Sequence, residues 1–135
     1  NNGGVNGNGA TYVAYCFANK VGYSQVGGYL GTGNANGAMV ELGFKPRFVM
    51  THRLDSGDAW TIMDTARDTF NVADKRLFPH QGNAENTSLD VMDMVSNGFK
   101  LRTTDAAFND TGAVYVFWAF GQTLVGSNEV PCTAR

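Results

Sequence analysis

The chain has 135 residues, room for one domain and not two, and its 43% hydrophobic and 12% aromatic content can bury a core without metals or disulfide staples. Ten basic against twelve acidic side chains leave a formal charge of -2, which gives no electrostatic footprint for nucleic acid or an anionic membrane. Seventeen glycines beside three prolines are about twice the ordinary glycine share and ask for turns rather than long helices.

Residues 1–10, Asn-Asn-Gly-Gly-Val-Asn-Gly-Asn-Gly-Ala, read as a flexible linker or arm, and the absence of an initial methionine suggests a module from a longer polypeptide. The run Tyr12-Val13-Ala14-Tyr15-Cys16-Phe17-Ala18 alternates large and small apolar residues, so an interior strand with Cys16 as a buried small hydrophobe is expected. Glycines crowd residues 27–37, where turns, bulges or close backbone approach use them. In residues 43–53 Phe48, Met50 and His52 alternate with Val49, Thr51 and Arg53, a strand entered after Pro46. A hairpin loop at 54–58 and a returning strand at 59–64 follow.

The pattern weakens between 65 and 94, where residues 73–78 suggest a helical turn or two ending at Pro79 and 81–88 a polar loop. Two further strands are predicted, 96–102 entered through an Asn97-Gly98 turn, and 113–120. Residues 122–135 form a polar tail. Tyr12, Val13, Tyr15, Phe17 and Ala18 are echoed by Tyr115, Val116, Trp118, Phe120 and Gly121, which suggests two central strands that pair or face each other. The fold class is therefore all-β, an antiparallel, jelly-roll-like β-sandwich over 11–121 with long Gly/Asn-rich loops and little helix.

Hydrolase and phosphate-binding motifs are missing: there is no G-x-S-x-G, no G-x-x-x-x-G-K-[ST], no H-E-x-x-H and no C-x-x-C. His52 and His80 lack motif partners. No catalytic residue, metal or cofactor is assigned. Asp64, Arg67 and Asp68 at a strand exit read as a partly buried ion-pair network, with a glycosidase-like carboxylate pair as the remote alternative. Asn34, Asn36 and the acids near Asp55 supply oxygens for a weak calcium alternative, without EF-hand spacing. Trp60 and Trp118 could stack on sugars but fit a core better. Turn placement makes Tyr23, Tyr29, Asn34, Asn36, Asp55 and Asp58 the candidate ligand or partner surface. Two cysteines, Cys16 and Cys132, set no disulfide framework.

Taken in order, Y-x-x-Y-C-F-A at 12–18, G-Y-S at 22–24, G-x-Y-x-G-x-G-x-x-x-G at 27–37, G-F-K-P-R-F-V at 43–49, W-x-I-x-D-x-A-R-D at 60–68, N-A-E at 83–85, S-N-G-F-K-L-R at 96–102 and Y-x-x-x-A-F-G at 115–121 resemble a domain of tailed-bacteriophage virion proteins. The resemblance implies a C-terminal module of a larger tail-fibre, tail or capsid-associated protein with no catalytic residues. The function it implies is non-enzymatic: a surface-displayed tail-fibre or adhesin module that binds the host surface or another virion protein. A capsid decoration (cement) role is the alternative, and a carbohydrate-active enzyme the remote one. Expected partners are other virion proteins and host surface glycan, without nucleic acid or membrane insertion. A homo-oligomer and a location on the extracellular particle are also expected. In this family Cys132 stands where a small residue is expected.

Overall fold

A computed structural model describes residues 3–121. Seven strands and two single-turn helices occur in the order α1 (Gly3–Asn6), β1 (Ser24–Leu30), β2 (Met39–Glu41), β3 (Phe48–Arg53), β4 (Thr61–Asp64), β5 (Met92–Val95), β6 (Gly98–Leu101), α2 (Ala106–Asn109) and β7 (Val114–Phe120). They form a four-stranded sheet, β1-β7-β3-β4, and a three-stranded sheet, β2-β6-β5. Every pairing is antiparallel. The all-β, sandwich-like architecture expected from the turn spacing is thus present, and Cys132 with the rest of the predicted tail lies outside the described residues.

Period-two alternation decides which side chains meet between the sheets. Tyr29, Val49, Met63, Tyr115, Phe117 and Ala119 come from the larger sheet, Val40, Met92, Met94, Phe99 and Leu101 from the smaller, and Phe108 of α2 closes one end. Tyr29 and Tyr115, directly paired in register, stack at 4.9 Å, and Phe99 meets Phe117 edge-on at 5.5 Å across the layers. The glycines of β1 serve close approach: a Cβ at Gly27 would touch the Phe117 ring at 3.0 Å, and one at Gly28 would lie 2.9 Å from the Tyr115 carbonyl oxygen.

Several local expectations are corrected. Residues 12–18 join no strand and are exposed throughout, Cys16 included. The echo between 12–18 and 115–121 is therefore not a pairing; β7 lies between β1 and β3 instead. The difference lies in the second face: β7 turns Tyr115, Phe117 and Ala119 into the core, whereas the matching positions of the earlier segment are Tyr12, Ala14 and Cys16, so that segment has an alanine where β7 buries the Phe117 ring. Residues 73–78 form no helix but isolated bridges, Ala73 to Met92, Arg76 to Asn86 and Leu77 to Ile62. Strand β5 had no clear sequence signal. Its hairpin to β6 pairs Val95 with Gly98, so the turn is Ser96-Asn97 and Gly98 begins the strand. There a Cβ would collide with the Val40 carbonyl oxygen at 1.9 Å.

Candidate functional site

β1 and β3 leave the larger sheet at the end where β7 enters it, as the pairs Leu30 with Val114 and Arg53 with Tyr115 show. Loops 31–38, 54–60 and 102–113 consequently gather at one end of the sandwich. Side chains tie them together. Asp105 caps α2 by accepting from Ala107 N at 2.9 Å, which is the preferred chemistry of a helix start. Asn109 is fully buried; its Oδ1 accepts from Thr32 N at 2.8 Å, and its Nδ2 donates to the carbonyls of Asn34 at 2.8 Å and Thr103 at 2.7 Å. Tyr115 donates its hydroxyl to Ala106 O at 2.7 Å and accepts from Asp110 N at 2.8 Å.

Arg53 completes the clasp. It pairs with Asp55 at 2.5 Å and Asp110 at 3.0 Å and donates to Ala106 O at 3.1 Å. The hydrogen bond from Arg53 holds the Asp55 carboxyl below its ordinary pKa, and that same bond raises the guanidinium's. Asn34 accepts from Asn36 N at 2.8 Å within its own turn, and Ser56 donates its hydroxyl to Asp58. These loops combine fixed backbones with exposed polar tips, as recognition loops on a rigid scaffold do.

The predicted surface is thus divided. Asn34, Asn36, Asp55 and Asp58 belong to loops at this end. Tyr29 does not: it is a core residue, 9% exposed, with its hydroxyl donating to Phe108 O at 2.9 Å and its pKa raised by burial. Tyr23 sits at the opposite end of β1, its ring 6.3 Å from that of Phe120. Nor do Asp64, Arg67 and Asp68 make one network. Arg67 bridges Asp64 at 2.6 Å and Glu85 at 2.5 Å. Asp68 is buried separately and accepts from Asp74 N at 3.1 Å and Lys75 N at 2.8 Å. Burial would raise the Asp64 pKa, but the amide and guanidinium of Arg67 outweigh it and hold the carboxyl below its usual value.

Two features escaped sequence reasoning. One is a depression of about 380 Å³ lined by Ala35, Thr87, Ser88, Leu89, Asp90, Arg102, Thr103 and Thr104. Through Ala35 and Thr103 it adjoins the Asn109 clasp. Its hydroxyl-bearing residues come from two distant stretches of chain, with no motif to join them. The other is the outer face of the larger sheet, where His52 stacks on Trp60 at 4.3 Å and Trp60 meets Trp118 at 5.0 Å. Nδ1 of His52 is buried there without a hydrogen-bond partner. Period two could have shown this face, because Met50 and His52 pair with Trp118 and Val116.

Among the described residues no group of three or more His, Cys, Asp or Glu side chains is placed to hold a metal ion, and no helix is long and apolar enough to cross a membrane. The fold and the loop end describe an all-β domain whose loops at one end are tied together by polar side chains. Residues 1–123 match the model of a family described as Domain of unknown function (DUF7483), and the chain belongs to that family. No curated protein and no solved structure matches it.

Proposed function

We propose that this domain is a non-enzymatic structural module of a bacteriophage virion, of the tail-fibre or adhesin type, that binds a host-surface glycan at the loop end of its sandwich. The carrying observation is the depression beside the clasped loops. Thr87, Ser88, Asp90, Arg102, Thr103 and Thr104 line it, residue types whose donors and acceptors suit a polyhydroxylated ligand. Its volume is that of a small-ligand site. The carboxylates with the best claim to glycosidase chemistry are otherwise engaged, Asp64 by Arg67 and Asp68 by two backbone amides. The motif order that resembles phage virion domains supplies the virion part of the reading.

A glycan array probed with the full chain tests it. A polysaccharide ligand is expected, with Asp90→Ala weakening binding by about tenfold, the loss of one well-made polar contact, and Asn34→Ala by less. Unchanged binding in both folded variants, or no ligand among bacterial surface glycans, overturns the glycan assignment. Capsid decoration is the second reading, favoured by the exposed apolar segment 12–18 that could lie across a neighbour. Cryo-microscopy of the virion separates the two: density at capsid lattice points defeats the fibre reading.

A further inference from the structure

β1 is an edge strand of the larger sheet. At its start Ser24 exchanges both backbone hydrogen bonds with Lys20, at 2.8 and 2.9 Å, so the Ser24 amide and carbonyl point away from β7. The period of two then turns the backbone groups of Val26, Gly28 and Leu30 the same way. Asn19 Oδ1 takes the Val26 amide at 2.7 Å. Gly28 and Leu30 are exposed, and β1 has no further strand partner on that side among the described residues. An open, uncharged edge of this kind is a template for another strand.

The chain also holds a strand without a sheet. Residues 12–18 have the β-favouring composition and alternation of an interior strand, yet Val13 is 80%, Tyr15 83% and Phe17 52% exposed. No charged side chain occurs from residue 3 to residue 19. A hairpin continuing in the same molecule from the Lys20–Ser24 bridge would next pair Ala18 with Val26. Both groups of that bond are occupied by side chains: Ala18 O accepts from Ser24 Oγ at 2.9 Å, and Val26 N donates to Asn19 Oδ1. The segment is therefore stopped from closing on its own β1.

We propose that residues 12–18 are a donor strand that adds, in trans, to the open edge of β1 in a second copy of this chain. The partner is argued from the echo: the segment repeats the order of large and small residues in β7, the strand β1 already accepts on its other edge. In the second copy too Ser24 and Val26 are engaged by Lys20 and Asn19, so the arm pairs along the open part of the edge, at Gly28 and Leu30. Added at the edge, Val13, Tyr15 and Phe17 join the outer apolar face beside Leu30, and the alternate set, Tyr12 with the small Ala14, Cys16 and Ala18, turns toward the core's rim. Phe17 already touches Phe120 of that face, at 5.8 Å. Each copy offers one arm and one edge, so the contact generates a reciprocal dimer, a ring or a fibre. This inference is independent of the glycan reading.

Light scattering and amide exchange of the full chain in reducing buffer test it. The expected result is an oligomer that dissociates on dilution, with the Tyr15 and Leu30 amides protected only in the assembled form. Tyr15→Pro and Leu30→Pro each remove a ladder donor, in the arm and the edge respectively, and each alone should give a monomer with an unchanged near-ultraviolet spectrum. Mixing the two should restore a heterodimer, since one supplies the edge and the other the arm. A full chain that is monomeric at every concentration overturns the proposal, whether its arm amides are unprotected or are protected by closure within one molecule. So does association that survives Tyr15→Pro, which alters only the exposed segment.

Discussion

Two stretches of this chain have nearly the same strand-like order of residues and opposite fates. In 12–18 and in β7, Tyr-Val is followed by an aromatic at the fourth position and phenylalanine at the sixth. β7 is the central strand between β1 and β3, while 12–18 lies outside every sheet. The large residues they share do not explain this, because Val116, Trp118 and Phe120 face outward in β7, the side away from the core. What differs is the alternate set at one place: Tyr115, Phe117 and Ala119 are at most 1% exposed, and their counterparts in the arm are Tyr12, Ala14 and Cys16, so the arm has alanine where β7 has Phe117. One face that can bury aromatic area decides membership in the sandwich, and strand propensity alone does not.

The widest separation should come from removing phenylalanine in each stretch. Phe117→Ala deletes a side chain 1% exposed that packs on Phe99 and Gly27. The expected loss is about 4 kcal/mol, a large part of the roughly 5 to 15 kcal/mol of a small domain. Phe17→Ala removes a half-exposed ring with an edge contact to Phe120, and about 1 kcal/mol or less is expected. Urea unfolding of both variants at equal, dilute concentration provides the measurement. Similar losses would mean that the arm packs into the body, and the contrast would fall.

Acid should act on the sandwich and spare the arm, which is uncharged. The Asp64 carboxyl is held below its ordinary value, so the folded state favours its ionised form. Its contribution is fully present above the unfolded value, near pH 4, and is lost as pH falls through the lower folded value. Stability should be flat from pH 7 to about pH 5 and then decline. In Asp64→Asn the bond to Arg67 loses its charge; a cost of about 1 to 2 kcal/mol at pH 7 is expected, with a shallower acid limb. An acid limb identical to that of the unaltered chain would show that other carboxylates carry it.

Sequence carried the fold class because it depends on short local signals. The alternation of Phe48, Met50 and His52, the turn at 54–58 and the run ending at Phe120 each correspond to an observed strand or hairpin. It misjudged 12–18 because Ala14 stands where β7 has the buried Phe117, a difference visible only once β7 provided the contrast. It passed over β5 because four residues, Met92–Val95, are too few for a period to stand out. Of the candidate surface, loop tips were legible through Asn, Asp and Gly, as at Asn34 and Asp55. Tyr29 was misassigned because the glycines beside it suggested a turn, whereas they admit Phe117 and the Tyr115 backbone. The depression joins residue 35 to residues 87–90 and 102–104, a proximity set only by tertiary packing.

The smallest expected effect refines the comparison most. Tyr15 and Trp118 hold equivalent places in the two stretches, but Trp118 is half-buried against Trp60 and Tyr15 is 83% exposed. Tyr15→Ser should therefore change the stability of the dilute chain by less than about 0.5 kcal/mol, the usual range for an exposed position. The same substitution should matter more as concentration rises, because a strand that pairs between copies adds stability by mass action. Unfolding midpoints measured across a dilution series test both parts at once. A loss that is large when dilute would place Tyr15 within the folded body of its own molecule, and a small loss that never grows would leave the arm's exposed aromatic residues without an energetic role.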